Sequence, residues 1–364
     1  MIDENKPLHL IIAGGGTGGH LFPGIAVAEA LMDINPLNQV LFLGTDRPLE
    51  IKILAKTSFC HETIPAGGIK GLSIWSKIKS LLRIPSGILK AMNIYRKFSP
   101  HIVLGVGGYV SAPCCIAAHL MGIPVIIQEQ NSIPGLTNRL LGKIADKIYV
   151  SFPETCQRFN QKKTFYVGNP VRKEIVQAST ETPIQKNTNC FTVFIIGGSQ
   201  GARAINIAIT DALPFLDKTQ IAFIHQSGQK DEQHLKDTYQ INGFQADVRS
   251  FFHDMMAQYK KADLIVSRSG ASTVAELTIL GKPSIFIPFP FAADNHQEKN
   301  ARAIVKAGGA DMILESQLTG KVLADRISFL SKTPQAMQNM QNNCIEFGKP
   351  GAANQIAEDC YKLS

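Results

Sequence analysis

Leu8-His-Leu-Ile-Ile-Ala13 runs directly into Gly14-Gly-Gly-Thr-Gly-Gly19, and the chain repeats this plan at Phe191-Thr-Val-Phe-Ile-Ile196 followed by Gly197-Gly-Ser-Gln-Gly201. Behind each glycine turn a helical period begins, through Ala26, Ala30 and Leu31 in the first copy and through Ile205, Ile209 and Leu213 in the second. A buried strand, a glycine turn and an amphipathic helix form the opening unit of a doubly wound parallel sheet. Two copies predict an α/β chain with two Rossmann-like domains. Short apolar runs separated by helix-length segments support parallel sheets in both halves. They are Val40–Leu43, Ile102–Val106, Pro124–Ile127 and Lys147–Val150, then Ile221–His225, Asp247–Ser250, Leu264–Ser267 and Ser284–Pro288. The expected boundaries are 1–170 for the first domain and 191–351 for the second. The polar stretch 171–190, with Pro183 and no period, reads as the linker. A separate helix is expected over 352–364, after Gly348-Lys-Pro-Gly351.

A chain of 364 residues, 45% hydrophobic and 18% charged, has a globular composition and the length of two domains. Met1–Leu10 lacks the basic and apolar regions of a secretory leader. No apolar run reaches the ~18–20 residues of a membrane span; Cys114–Ile127 is broken by His119, Gly122 and Pro124. Seven scattered cysteines with no C-x-x-C pair read as reduced thiols, with no structural metal. The net charge of +8 is concentrated. From Glu62 to Glu129 no acidic residue intervenes, while Lys70, Lys77, Lys79, Arg83, Lys90, Arg96 and Lys97 fall in that window. Such a window points to an anionic partner. Within it Ile74, Trp75, Ile78, Leu81 and Leu82 share one helical face flanked by Lys77, Lys79 and Arg83, with Pro85 expected to end the helix and a second one to begin near Ile88. That is the pattern of an interfacial helix on an anionic membrane, and equally of a helix packed on a sheet with a solvated basic edge. No helix-turn-helix, zinc or RNP-type pattern accompanies the charge, which argues against nucleic acid.

Several motifs carry chemistry. Gly14–Gly19 fits G-x-G-x-x-G, where glycines let backbone approach a phosphate and the next helix offers unpaired N–H groups; it also fits a tight turn with no ligand. A nicotinamide site needs an acid ending the second strand, and Asp46 comes late, behind Gly44 and Thr45. His20 is either a helix-start packing residue or a base suited to neutral pH. Arg268-Ser-Gly-Ala-Ser-Thr-Val-Ala-Glu276 is a second turn into a helix. Its Glu276 is a ribose acceptor or simply a solvated carboxylate. Phe289–Gln297 is a loop rich in groups able to read sugar hydroxyls: Asp294, Asn295, His296 and Gln297.

In order and spacing these segments resemble the MurG family of bacterial cell-wall glycosyltransferases. The resemblance covers essentially the whole chain. It rests on Gly14–His20, Gly108-Tyr-Val-Ser-Ala-Pro113, Glu129-Gln-Asn131 with Gly135-Leu-Thr-Asn138, Gly168-Asn-Pro-Val-Arg172, Gly197-Gly-Ser-Gln-Gly-Ala202, Arg268-Ser-Gly270, Thr273, Glu276 and Gln297. Gln128 stands where that family often has His, and Pro48-Leu49 replaces a common pattern before Glu50. The resemblance implies a type-B glycosyltransferase fold with two sheets facing a cleft, and the C-terminal helix returning to the first domain. It implies inverting transfer of N-acetylglucosamine from UDP-N-acetylglucosamine to undecaprenyl-diphosphate-linked muramoyl-pentapeptide, with neither metal nor cofactor. It sets the protein at the cytoplasmic face of the plasma membrane, in peptidoglycan synthesis, with cell-wall synthesis proteins as possible neighbours. Carried over, Ser199 meets the donor phosphates, Phe252 gives its backbone to uracil, and Ala271, Ser272, Thr273, Val274, Ala275 and Glu276 line the nucleotide. Glu276 takes the ribose and Gln297 the sugar. Thr17, Gly18, Gly19, Asn131 and Arg172 join the donor set, while Gly16, His20 and Tyr109 face the acceptor. His20 is the first candidate for the base and Glu129 its rival. The competing readings are a UDP-N-acetylglucosamine epimerase of the same fold, a nicotinamide-dependent dehydrogenase and a non-catalytic sugar-nucleotide sensor.

Overall fold

The computed structural model describes residues 6–16, 18–65, 74–181, 190–197 and 201–364, with 74–83 described as backbone only. The chain divides into two compact units, Met1–Lys173 with Lys349–Ser364, and Glu174–Gly348.

In the first unit seven strands pair in parallel: β1 (His9–Ala13), β2 (Gln39–Gly44), β3 (Cys60–Thr63), β4 (Ile102–Gly105), β5 (Val125–Glu129), β6 (Lys147–Val150) and β7 (Thr164–Tyr166). Their order is β3-β2-β1-β4-β5-β6-β7. The central strands are buried on both faces, which is why β1 and β4 read as continuous apolar runs and not as alternation. Helix Gly18–Ile34 covers one face through Leu21, Ile25 and Leu31. The C-terminal helix Ala352–Leu363 joins the same core through Ile356, Ala357 and Cys360. It is pinned by Tyr149, whose hydroxyl donates to Asp359 Oδ2 at 2.5 Å, and by Tyr361, which donates to Asn38 Oδ1 at 2.8 Å.

The second unit has β8 (Phe191–Ile196), β9 (Ile221–Gln226), β10 (Ala246–Arg249), β11 (Leu264–Ser267), β12 (Ser284–Phe286) and β13 (Ala310–Met312), in parallel order β10-β9-β8-β11-β12-β13. Its core is built from Val193, Ile195, Phe223, Val266 and Ile285 on the strands, with Ile205, Ile209, Leu323 and Ile327 on helices.

Three sequence expectations need correction. Pro85 does not end a helix: one helix of 25 residues runs from Ile74 to Phe98 through it. Proline removes one ladder hydrogen bond at a cost of about 3 kcal/mol, and a helix this long keeps the rest of its ladder. The stretch 171–190 is not wholly a linker, because Lys173–Thr180 is helical and buries Ile175; residues 182–189 lie outside the described residues. Strands β3, β7 and β13 carried no sequence signal. Each sits at a sheet edge and pairs on one side only, so none needs a long apolar run.

Candidate active site

In both units the residues singled out from sequence emerge at the carboxyl ends of adjacent strands, flanking the point where strand order reverses. That is where doubly wound sheets bind ligands.

In the first unit, Gly14–His20 follows β1, Gly107–Tyr109 follows β4, and Gln130–Asn131 follows β5. The glycine turn is shaped by Glu50, in the first turn of helix Pro48–Leu54 and only 2% exposed. Its Oε1 accepts from the Gly16 N–H and its Oε2 from the Thr45 N–H at 2.7 Å. A side chain on Gly15 would stand 2.7 Å from the Glu50 carboxyl carbon, and Gly16 adopts φ +94°. Arg47 closes the turn by donating to the Gly16 carbonyl at 2.9 Å. The Gly16 N–H, which a dinucleotide site would aim at phosphate, is thus committed to the protein's own carboxyl group. This argues against the nicotinamide reading. Thr17 lies outside the described residues; Gly18, Gly19 and His20 form the first turn of the following helix, where N–H groups lack acceptors within the helix.

His20 is half-buried and its ring packs over Gly107, where a Cβ would stand 2.9 Å from Cδ2 and 3.1 Å from Nε2. Tyr109, 40% exposed, lies two residues beyond Gly107 on the same loop. Gln130, 2% exposed, donates to the Val106 carbonyl at 2.7 Å and to Gln128 Oε1 at 2.5 Å. Gln128 in turn donates to Ser151 and Asn169, both at 3.1 Å, so a buried amide lattice supports the floor beneath His20. Glu129 is differently placed. It is 2% exposed and accepts from the Asn131 N–H at 2.9 Å, the Gly135 N–H at 3.1 Å and Asn138 Nδ2 at 2.9 Å. Burial raises its pKa while these donors oppose the rise. A carboxyl group so enclosed organises the 129–138 turn. Asn131 is held to Glu129, and the Arg172 guanidinium stacks over Phe22 at 5.6 Å, near the first turn of helix Gly18–Ile34.

In the second unit, Ser199 lies outside the described residues. Gly201, at φ +79°, passes so close to the Ser227 carbonyl that no side chain fits there. After β11, Gly270 leads into helix Ala271–Ile279 with extended φ and ψ and no side-chain cap. The first-turn N–H groups of Ala271, Ser272 and Thr273 therefore form an anion-accepting helix end. Ser272 Oγ is buried and has no hydrogen-bond partner among the described residues. Val274 is 1% exposed and its N–H is bonded to the Gly270 carbonyl, so it holds the turn from within. Ala275 and Glu276 are half-buried on the next turn. Phe252 donates its N–H to Gln226 Oε1 at 3.0 Å. Its ring meets Phe194 edge-on at 5.8 Å. Gln297 accepts from the Phe289 N–H at 3.0 Å, which turns its amide nitrogen outward from that bond. Arg268, which opens the turn into helix Ala271–Ile279, donates to the Ile287 and Pro288 carbonyls at 3.0 and 3.1 Å and pairs with Glu315 at 2.5 Å. It braces the segment leading to Gln297, which stands in the first turn of helix His296–Lys306 and not on the loop expected from sequence.

Residues with no sequence signal complete the picture. His225 is fully buried between Tyr239 and Asn206, each at 3.1 Å, and burial lowers its pKa to about 3. Glu50 entered the sequence reading only as the residue that follows Pro48-Leu49. Ile74, Trp75, Lys77, Ile78, Lys79, Leu81, Leu82 and Arg83 have side chains outside the described residues; their backbone is helical.

The same two-unit architecture occurs in solved structures. Acinetobacter baumannii MurG superposes with a TM-score of 0.81 at 29% identity, covering 98% of this chain and 100% of that one. A UDP-GlcNAc 2-epimerase from Neisseria meningitidis, bound to UDP-GlcNAc, gives 0.69 at 16% identity over 98% and 100%, a likeness of fold alone. Residues 10–150 match the Glycosyltransferase family 28 N-terminal domain and 192–356 the Glycosyltransferase family 28 C-terminal domain, so the chain has the type-B fold of a glycosyltransferase. Two relatives are named UDP-N-acetylglucosamine--N-acetylmuramyl-(pentapeptide) pyrophosphoryl-undecaprenol N-acetylglucosamine transferase. The one from Syntrophus aciditrophicus is 44% identical over 98% of this chain and 99% of its own. The one from Thermodesulfovibrio yellowstonii is 45% identical over the same shares. The chain belongs to the family of these transferases.

Proposed function

We propose that this protein transfers N-acetylglucosamine from UDP-N-acetylglucosamine to the 4-hydroxyl of lipid-linked N-acetylmuramoyl-pentapeptide, with inversion, in peptidoglycan synthesis. The observation that carries the proposal is identity of 44–45% spread over 98% of the chain with transferases of that name. The site adds physical support. The second unit offers a helix end for the diphosphate, a backbone carbonyl at Phe252 for the base, Glu276 for the ribose and the Gln297 amide for the sugar. The first unit offers His20 beside Gly107 to take the acceptor proton. As the glycosidic bond breaks, negative charge gathers on the leaving UDP. N–H groups at the start of helix Ala271–Ile279 and Ser199 stabilise it. Such a mechanism runs without a metal.

The acceptor's polyprenyl chain stays in a bilayer, so the enzyme works peripherally at the cytoplasmic face of the plasma membrane. The basic helix beginning at Ile74 makes that contact. Leu89 on the same helix is exposed, as are Leu120, Leu136 and Leu140 elsewhere in the unit. Among the described residues no helix is long and apolar enough to cross a membrane.

The test is UDP release from UDP-N-acetylglucosamine with and without a lipid I analogue, followed by analysis of the disaccharide product. Acceptor-dependent release with a β-linked product is expected, unchanged by EDTA. Epimerised sugar nucleotide, acceptor-independent turnover or strict Mg²⁺ dependence would overturn the reading.

A further inference from the structure

We infer that Tyr259 is a positioning residue for ribose recognition, an inference that rests on the donor reading in which Glu276 takes the ribose. Glu276 stands in the second turn of helix Ala271–Ile279 and is half-buried. A glutamate there has several rotamers, and fixing one on binding opposes affinity. Here the carboxyl group is already tethered: the Tyr259 hydroxyl donates to Glu276 Oε2 at 3.2 Å.

The tether is itself rigid. Tyr259 lies on helix Met255–Lys261, whose start is capped by Asp254 accepting from the Ala257 N–H at 2.9 Å. Its ring is 2% exposed and packs edge-on against Phe194 of the central strand β8, with centroids 5.9 Å apart. Phe194 also carries the Phe252 ring, so the supports of the base and ribose groups share one aromatic anchor. A carboxylate offers about four lone-pair positions. The phenol occupies one and fixes the plane of the carboxylate, which suits the paired donors of a cis diol. Tyr259 thereby converts Glu276 from a mobile surface acid into a reader of ribose against deoxyribose.

A purely space-filling Tyr259 predicts something different, because phenylalanine keeps the ring and its packing. The full chain is titrated calorimetrically with UDP and with 2′-deoxy-UDP. The ratio of the two Kd values does not depend on the fraction of protein folded, so a destabilised variant still reports. Wild type should prefer UDP. Tyr259→Phe should narrow that preference about 3–10-fold, the range of one hydrogen bond. Glu276→Ala should abolish it, and the double variant should match Glu276→Ala. An unchanged ratio in Tyr259→Phe, with the ratio lost in Glu276→Ala, removes Tyr259 and leaves the ribose assignment standing. An unchanged ratio in Glu276→Ala overturns the ribose assignment and the positioning role together.

Discussion

Gly15 and Glu50 should behave as one unit. The three nearest atoms to a side chain placed on Gly15 all belong to the Glu50 carboxyl group, and the backbone there needs no positive φ. Gly15→Ala therefore does not strain the chain; it evicts the carboxyl group. Eviction leaves the Gly16 and Thr45 N–H groups without their acceptor. Orphaning a buried donor costs about 1–3 kcal/mol, so two give about 2–6 kcal/mol, at the lower end here because both N–H groups are only part-buried and water can enter. Glu50→Ala should cost a similar amount by removing the acceptor directly. In the Glu50→Ala background, Gly15→Ala should then add less than about 0.5 kcal/mol, a coupling of about 2 kcal/mol or more between the sites. Urea unfolding followed by tryptophan emission measures this, because the chain's single tryptophan, Trp75, lies in the same unit. A probe within one unit is needed, since a chain of two units need not unfold in one step. Equal cost for Gly15→Ala in both backgrounds would show that the turn is held by something other than the Glu50 carboxyl group.

Replacing His20 by Ala should lower kcat about 10²–10⁴-fold if it takes the acceptor proton, and near-normal turnover would remove it from the mechanism. Changing Ile74, Trp75 and Ile78 together to serine should weaken binding to anionic vesicles while UDP binding by calorimetry stays as in wild type; unchanged sedimentation with vesicles would exclude that helix as the contact. His225 titrates near 3 in the folded protein against 6.5 when unhindered, because burial disfavours its charged form. Its contribution is complete above pH 6.5 and is lost as pH falls below that, at about 1.4 kcal/mol per pH unit. Urea midpoints by circular dichroism between pH 4 and 8 should therefore fall more steeply in acid for wild type than for His225→Leu, and parallel profiles would refute the assignment.

What the sequence disclosed and what it withheld divide along a physical line. The strands β1, β4, β8 and β11 were legible because strands buried on both faces must be apolar throughout, and the glycine turns because they follow those strands directly. The polar scaffolding behind the site was not legible, since it joins residues far apart in sequence. Glu50 reaches the glycine turn 34 positions away, Gln226 reaches Phe252 across 26, and Tyr259 reaches Glu276 across 17. No periodicity records such a pairing, because each partner alone is an ordinary polar residue on an ordinary element. Arg268 likewise spends its guanidinium on the Ile287 and Pro288 carbonyls and on Glu315, contacts that no local pattern announces. Local pattern thus names the loops that hold a ligand, while the rigidity with which they hold it is set by contacts that only the folded chain brings together. If that division is right, substitutions at Glu50, Tyr259 and Gln226 should perturb recognition as strongly as many of the residues that touch substrate. The Tyr259→Phe ratio experiment is the sharpest case, because it deletes a single oxygen and leaves the packing of that core in place.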